Sequence, residues 1–334
     1  MWFFRKLSCA SVLLALCMNA CTGLMEQSVV EIPLEGALME GDSQVSGLAW
    51  YGDELVLLSQ YPDRFRSGGR DHIFAISKEK ILDFLGLADG KALSPRRVPF
   101  NDSGIPELID GFEGYEAVVF VGDRVFLTIE AVKGGGRIGH LVSGNVDGDL
   151  TAIRLDVASL QELTPISLVD EMAFEALLSV DKDLIAIYEA NGKTVSPSSQ
   201  AIWVDRSLGT QRTIPFPSIE YRITDATSLD GDGRFWAINY FYPGEEHLKP
   251  RTDPVVKKYG QGPTHAVSEA VERLVEFQWS DSAITLVDRP PVQLQLLAEG
   301  ESRNWEGIVR LDDKGFLVVT DTYPETILAF VSMR

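Results

Sequence analysis

Short apolar runs alternate with polar turns along this chain, and one arrangement of the two keeps returning. In its last occurrence Trp305-Glu306-Gly307-Ile308-Val309 leads into the turn Asp312-Asp313-Lys314-Gly315 and then into Phe316-Leu317-Val318-Val319-Thr320-Asp321. An acid, a small residue and two apolar ones, a turn, and a β-rich run ending on a second acid describe a hairpin. Earlier copies run from Ser46 to Gln60, Glu116 to Glu130, Glu175 to Glu189 and Asp225 to Asn239. The first-to-last offset is 14 in these four and 15 in the fifth, so the repeat predicts one structural unit used five times.

Two further β-rich runs follow each of the first four hairpins, for example His72-Ile73-Phe74-Ala75-Ile76 with Arg97-Val98-Pro99-Phe100. Each unit therefore reads as a four-stranded antiparallel sheet, and the chain as an all-β, five-bladed β-propeller. The fifth unit has only its third run, 327–331, while residues 28–34 form a strand-like run with no unit of their own. That run is expected to supply the missing outer strand and close the ring, which leaves no open edge and favours a monomer. Residues 22–27 are expected to be dispensable. Residues 242–270, rich in Pro, Gly and charge, read as a long loop, and helical spacing predicts short helices at 78–87, 156–163 and 267–274.

Residues 1–20 carry Arg5 and Lys6 before an apolar run, an export signal too short to span a membrane. Ala20-Cys21 resembles a bacterial lipobox, which implies a lipid on Cys21 and membrane attachment through that anchor alone. An ordinary signal cut nearby is the alternative. Cys9 and Cys17 lie in the signal, so residues 21–334, read as a single domain, hold one cysteine and no internal disulfide. Without the signal, 28 basic and 49 acidic residues leave a net charge of −21. That balance argues against nucleic acid and anionic lipid surfaces, which are bound through basic patches.

In a propeller the start of each first strand and the end of each second strand lie on one face. Ser46, Glu116, Glu175, Asp225 and Glu306 are thus expected around the channel mouth, with Gln60, Glu130, Glu189, Asn239 and Asp321 in a ring outside them. Converging carboxylates raise one another's pKa unless a cation intervenes, and oxygen-only ligands favour Ca²⁺. The alternative is that the acids bond backbone amides of neighbouring units without metal. Arg64, Arg66, Arg70, Lys133, Arg137 and Lys193 fall in loops on the same face, a rim that would bind a small anionic molecule. His72 and His140, at equivalent third-strand starts, are a candidate pair for anion binding or proton transfer.

Other motifs carry little chemistry. Gly134 to Gly139 satisfies GxGxxG, yet a strand and not a helix follows it, so it reads as a loop. No GxSxG, HExxH or P-loop is present.

Arg303-Asn304-Trp305-Glu306-Gly307-Ile308 with Val319-Thr320-Asp321, and Phe174-Glu175-Ala176-Leu177 with Tyr188-Glu189, resemble the phytase-like propeller family described as having esterase-like activity. The layout of the inner ring is also similar to that of the calcium-activated nucleotidases, although Gln60-Tyr61-Pro62-Asp63-Arg64 stands where those enzymes carry Asp-Asp-Arg-Thr-Gly. The resemblance implies a Ca²⁺-binding phosphoesterase. In that reading Arg64, Arg70 or Arg137 neutralises the phosphate and Glu130, Glu189 or Asp321 is the base on water. A non-catalytic binding propeller ranks second. A glycosidase using two outer-ring carboxyls without metal ranks third.

Overall fold

The computed structural model describes residues 24–40, 42–86, 90–165, 168–169, 171–196 and 198–333. The expected signal and Cys21 lie outside the described residues. Two short strands, β1 (Glu26–Gln27) and β2 (Val29–Ile32), precede the repeats. The first group holds β3 (Val45–Tyr51), β4 (Glu54–Ser59), β5 (Asp71–Ser77) and β6 (Arg96–Asn101), with helix α1 (Lys78–Gly86) after β5. The second holds β7 (Phe112–Val121), β8 (Arg124–Lys133), β9 (Gly136–Asp147) and β10 (Ala152–Leu163). The third holds β11 (Phe174–Val180), β12 (Asp183–Tyr188), β13 (Gln200–Val204) and β14 (Gln211–Pro215). In the fourth, β15 (Arg222–Ala226) and β16 (Arg234–Phe241) are separated by a long connection containing helix α2 (Pro254–Tyr259) from β17 (Val271–Ser280), β18 (Ala283–Leu286) and β19 (Val292–Leu294). The last comprises β20 (Trp305–Leu311), β21 (Gly315–Thr320) and β22 (Leu328–Ser332).

Within each group successive strands pair antiparallel, except that β17 pairs with both β18 and β19. The outer strands β6 and β10 meet in parallel at Phe100–Ile153 and Asn101–Arg154, merging the first two groups into one eight-stranded sheet. First strands β3, β7, β11, β15 and β20 pack beside one another in that order, and β20 packs against β3. This is a β-propeller. Each sheet is apolar on both faces because each lies between two others: Val56 and Leu58 of β4 face the second group, while Leu55 and Leu57 face the last. All four are fully buried, and burial of a side chain of this size contributes roughly 1.5–3 kcal/mol.

The segment ahead of β3 straps the ring. β2 pairs antiparallel with β22, from Val29–Val331 to Ile32–Leu328, and β1 pairs in parallel with β19. Residues 26 and 27, expected to be dispensable, are therefore tied into the fourth group. The Glu26 carboxylate accepts the Thr264 and His265 amides and a bond with His265 Nδ1 at 2.9 Å, which seats the long connection.

Two of the expected helices are strand instead. Residues 156–163 belong to β10, where the register shifts between Asp156 and Gln161 and Asp156 Oδ1 takes the Ala158 amide in a local turn that mimics helical spacing. Residues 271–274 enter β17, which is buried on both faces, so that apolar Val271 and Leu274 fall at helical spacing while Glu272 and Arg273 between them are buried in ion pairs. The third expectation corresponds to α1, although residue 87 is outside the described residues. Within 242–270, α2 begins where Asp253 Oδ1 accepts the Val255 amide at 2.8 Å.

Candidate functional site

Every first strand breaks register at its anchor. The pairing skips Ser46 between Val45 and Gly47, Glu116 between Tyr115 and Val118, Glu175 between Phe174 and Ala176, Asp225 between Ile223 and Ala226, and Glu306 between Trp305 and Gly307. A bulge re-aims one side chain, here toward the channel. The small residue after each anchor follows from the closeness of neighbouring first strands. A Cβ on Gly47 would lie 2.9 Å from the Glu116 carbonyl oxygen, and one on Gly307 would lie 3.1 Å from the Leu48 nitrogen.

Two of the inner-ring residues stitch these strands together. Ser46 Oγ donates to the Tyr115 carbonyl at 2.6 Å, and Asp225 Oδ2 accepts the Ile308 amide at 2.7 Å. Asp225 is also bonded by the amides of Ala226 and Leu48, so its carboxyl, pushed up by burial, is occupied by backbone from three groups. Glu116, Glu175 and Glu306 line a cavity of about 160 Å³ with Ser46, Gln60, Glu130, Arg137, Glu171, Arg222, Asn304 and Asp321.

The outer ring divides as well. Gln60 Nε2 donates to Glu116 Oε1 at 2.8 Å, and Glu130 is ion-paired with Arg137 on the cavity wall. Asp321 Oδ1 is buried without a hydrogen-bond partner among the described residues. Glu189 lies behind the wall, paired with Arg222. Asn239 is fully buried outside the cavity, donating to the Glu220 and Arg222 carbonyls and accepting from Arg273 Nε at 2.7 Å.

Burial pushes all these carboxyls up. Glu116 and Glu175 rise well above the usual range, with Glu130 adding to the effect at the first and Glu116 at the second. Glu306 rises despite the Arg222 guanidinium. Burial also raises Glu130, against the pull of Arg137. Glu189 is pushed up to about 7 against Arg222, and Asp321 to about 6.

Of the six basic residues expected to form a rim, Arg137 lines the cavity and the others do not. Arg64 Nη1 pairs with Asp42 at 2.9 Å and donates to Gln44, and its guanidinium stacks on Tyr61. Arg70 lines a separate cavity of about 500 Å³ between β6 and β10, together with Asp71, Asp102, Asp147 and Arg154. Lys133 pairs with Glu162, and Arg137 with Glu130. His72 is buried with Nδ1 3.0 Å from the Phe65 carbonyl, and His140 stands across from Glu162 in the β9–β10 pairing. Neither histidine lines the channel-mouth cavity.

Arg222 is the residue that the repeat did not reveal. Its guanidinium pairs with Glu189, with Glu245 at 3.3 Å and with Glu306 at 3.2 Å. The positions three before the other anchors hold Ser43, Glu113, Met172 and Arg303, and the one other arginine among them pairs with Glu272 instead. The Arg222 charge is shared among three acids from separate parts of the chain. Ser46 and Asp225 are bonded to backbone, and among the described residues no three His, Cys, Asp or Glu side chains are grouped to hold a metal ion. The ring does not fit a calcium cage in this arrangement.

No family model matches the sequence, the phytase-like one included, and no curated protein matches it. Solved structures of similar fold include a candidate glycoside hydrolase of Parabacteroides distasonis, at 11% identity over 96% of this chain and 95% of that one, with a TM-score of 0.49. They also include a Cellvibrio cellulosa α-L-arabinanase (10% identity, 86% and 91% covered, TM-score 0.45) and a GH43 endo-arabinanase from Bacillus licheniformis (10%, 90% and 96%, 0.45).

Proposed function

We propose that this chain is a five-bladed propeller that hydrolyses a glycosidic bond at the channel mouth, with Asp321 as general acid and Glu130 as general base. The observation that carries this reading is the unequal equipment of two carboxyls on one small cavity. Glu130 is ion-paired with Arg137, whose charge opposes the rise that burial causes, whereas Asp321 has a buried oxygen with no partner among the described residues and is pushed up to about 6. Glycoside hydrolysis needs such a pair, one carboxyl holding a proton for the leaving oxygen and one ionised to activate water or attack carbon. Both lie at the ends of second strands, Asp321 just past β21 and Glu130 within β8.

The phosphoesterase reading loses its main support. The two guanidiniums on the cavity are committed to Glu130, Glu189, Glu245 and Glu306, so a phosphate would face carboxyl groups with no free cation beside it. The test is a panel of aryl glycosides and aryl phosphates, assayed with Ca²⁺ and with chelator. Glycoside cleavage indifferent to chelator and reduced about 100-fold or more in Glu130→Gln and Asp321→Asn supports the proposal. Phosphate release in place of glycoside cleavage overturns it, and an intact panel leaves a binding protein.

A further inference from the structure

The cavity carries more acceptors than the protein satisfies. Glu175 is 6% exposed and lines the cavity, and its carboxyl makes no hydrogen bond or ion pair among the described residues. Asp321 Oδ1 is in the same position, and Glu116 has one donor, Gln60 Nε2, on a single oxygen. Buried acceptors normally have partners, so three carboxyls short of donors around one space mark a place for a ligand that brings them. Both wall cations are already spent on other acids.

Chemistry narrows the class. An anion would add to six carboxyls that are opposed by two guanidiniums. A metal ion needs its ligands drawn close around it, and no such group of three exists among the described residues. A hydroxyl brings one donor and no charge. A primary ammonium brings three donors and a positive charge that favours ionisation of the raised Glu116 and Glu175 carboxyls, on a tetrahedral centre small enough for about 160 Å³.

We infer that the occupant of the channel mouth carries a primary ammonium group, held by the inner-ring acids Glu116 and Glu175. Resting on the hydrolase reading above, the substrate is then a glycoside of an amino sugar, its nitrogen turned toward the inner ring and its glycosidic oxygen toward the outer one. Substrates in which that nitrogen is acylated lose both the charge and two of the donors, so the site distinguishes a free amino sugar from its N-acetyl derivative.

Calorimetric titration of the purified protein with glucosamine, galactosamine, glucose, N-acetylglucosamine and CaCl₂ tests this. Either amino sugar is expected to bind at least about tenfold more tightly than glucose or N-acetylglucosamine. That preference is expected to vanish in Glu175→Gln, whose melting curve reports separately that the variant is folded; if it is not, Gln60→Ala, which frees Glu116 of its donor, is expected to sharpen the preference. Equal affinity for amino and neutral sugars, or heat from CaCl₂ alone, overturns the inference. Running aryl glucoside and aryl glucosaminide assays in parallel separates the two readings. Amino-sugar binding without cleavage of either keeps this inference and removes the hydrolase, and cleavage of the neutral glycoside without amine preference does the reverse.

Discussion

Arg222 Nη2 lies 3.2 Å from Glu306 Oε1, joining the start of β15 to the bulge of β20. The same guanidinium reaches back to Glu189 beyond β12 and outward to Glu245 in the long connection. One buried cation thus holds acids from three parts of the ring, and its removal leaves them without counter-charge. Arg222→Met is expected to lower stability by about 3–5 kcal/mol in urea unfolding at neutral pH. Adding Glu189→Gln should recover part of that loss. A loss below about 1 kcal/mol would show that the acids are compensated in some other way.

Gly47 is a matter of space rather than of backbone freedom. Its missing Cβ would meet the Glu116 carbonyl oxygen of the neighbouring first strand at 2.9 Å, and backbone cannot swing aside as a side chain can. Gly47→Val is expected to cost about 1–3 kcal/mol in chemical denaturation. Gly52, in the turn after β3 with nothing within 4 Å of its Cβ position, is the control for volume, although its φ of 56° adds a backbone cost of its own. A stability of Gly47→Val equal to that of the parent protein would mean that the first strands are further apart than described.

The closing strap gives two separable outcomes. Glu26→Ala strips the acceptor from the Thr264 and His265 amides, at about 1–3 kcal/mol for polar groups left unpaired, and is expected to stay monomeric. Deletion through Ile32 also exposes the edge of β22, and unpaired edges recruit other chains. Size-exclusion chromatography should show oligomers for the deletion alone. Monomers in both cases would count against β2 as the closing strand.

What the sequence disclosed follows from what repeats. The anchors and their small neighbours recur because each first strand has the same bulge beside a close neighbouring strand, so the ring was legible in the sequence. The pairing of Arg222 with the ring acids occurs once, and so do the register shift in β10 and the link between β6 and β10, which no periodicity could signal. The chemistry was harder to read than the ring for a related reason. Equivalent positions do unequal work: Asp225 binds amides while Glu175 faces open space, and Asn239 supports Arg273 while Asp321 lines the cavity. Which role a carboxyl takes depends on the one guanidinium or amide beside it, and those partners are not repeated.

Asp321 links the site to the pH dependence of the whole protein. Its carboxyl rises from 3.8 to about 6 on folding, chiefly through burial, so the native chain holds this proton more tightly than the unfolded chain does. The sign follows from linkage: the contribution is fully present below pH 3.8 and is lost as pH rises through about 6. Its size is on the order of 2–3 kcal/mol. Asp321→Asn removes the titration while an amide oxygen can still accept from Thr322 Oγ1, which lies 3.4 Å from Oδ2. The variant is therefore expected to gain on the parent protein by roughly that amount between pH 4 and pH 7.5 in paired urea titrations, while its glycoside cleavage falls. Glu189, pushed up to about 7, drifts in the same direction in both proteins and cancels in the difference. A stability difference that stays flat across that range would show that Asp321 ionises at its ordinary value in the native state, and the acid role assigned to it would go with it.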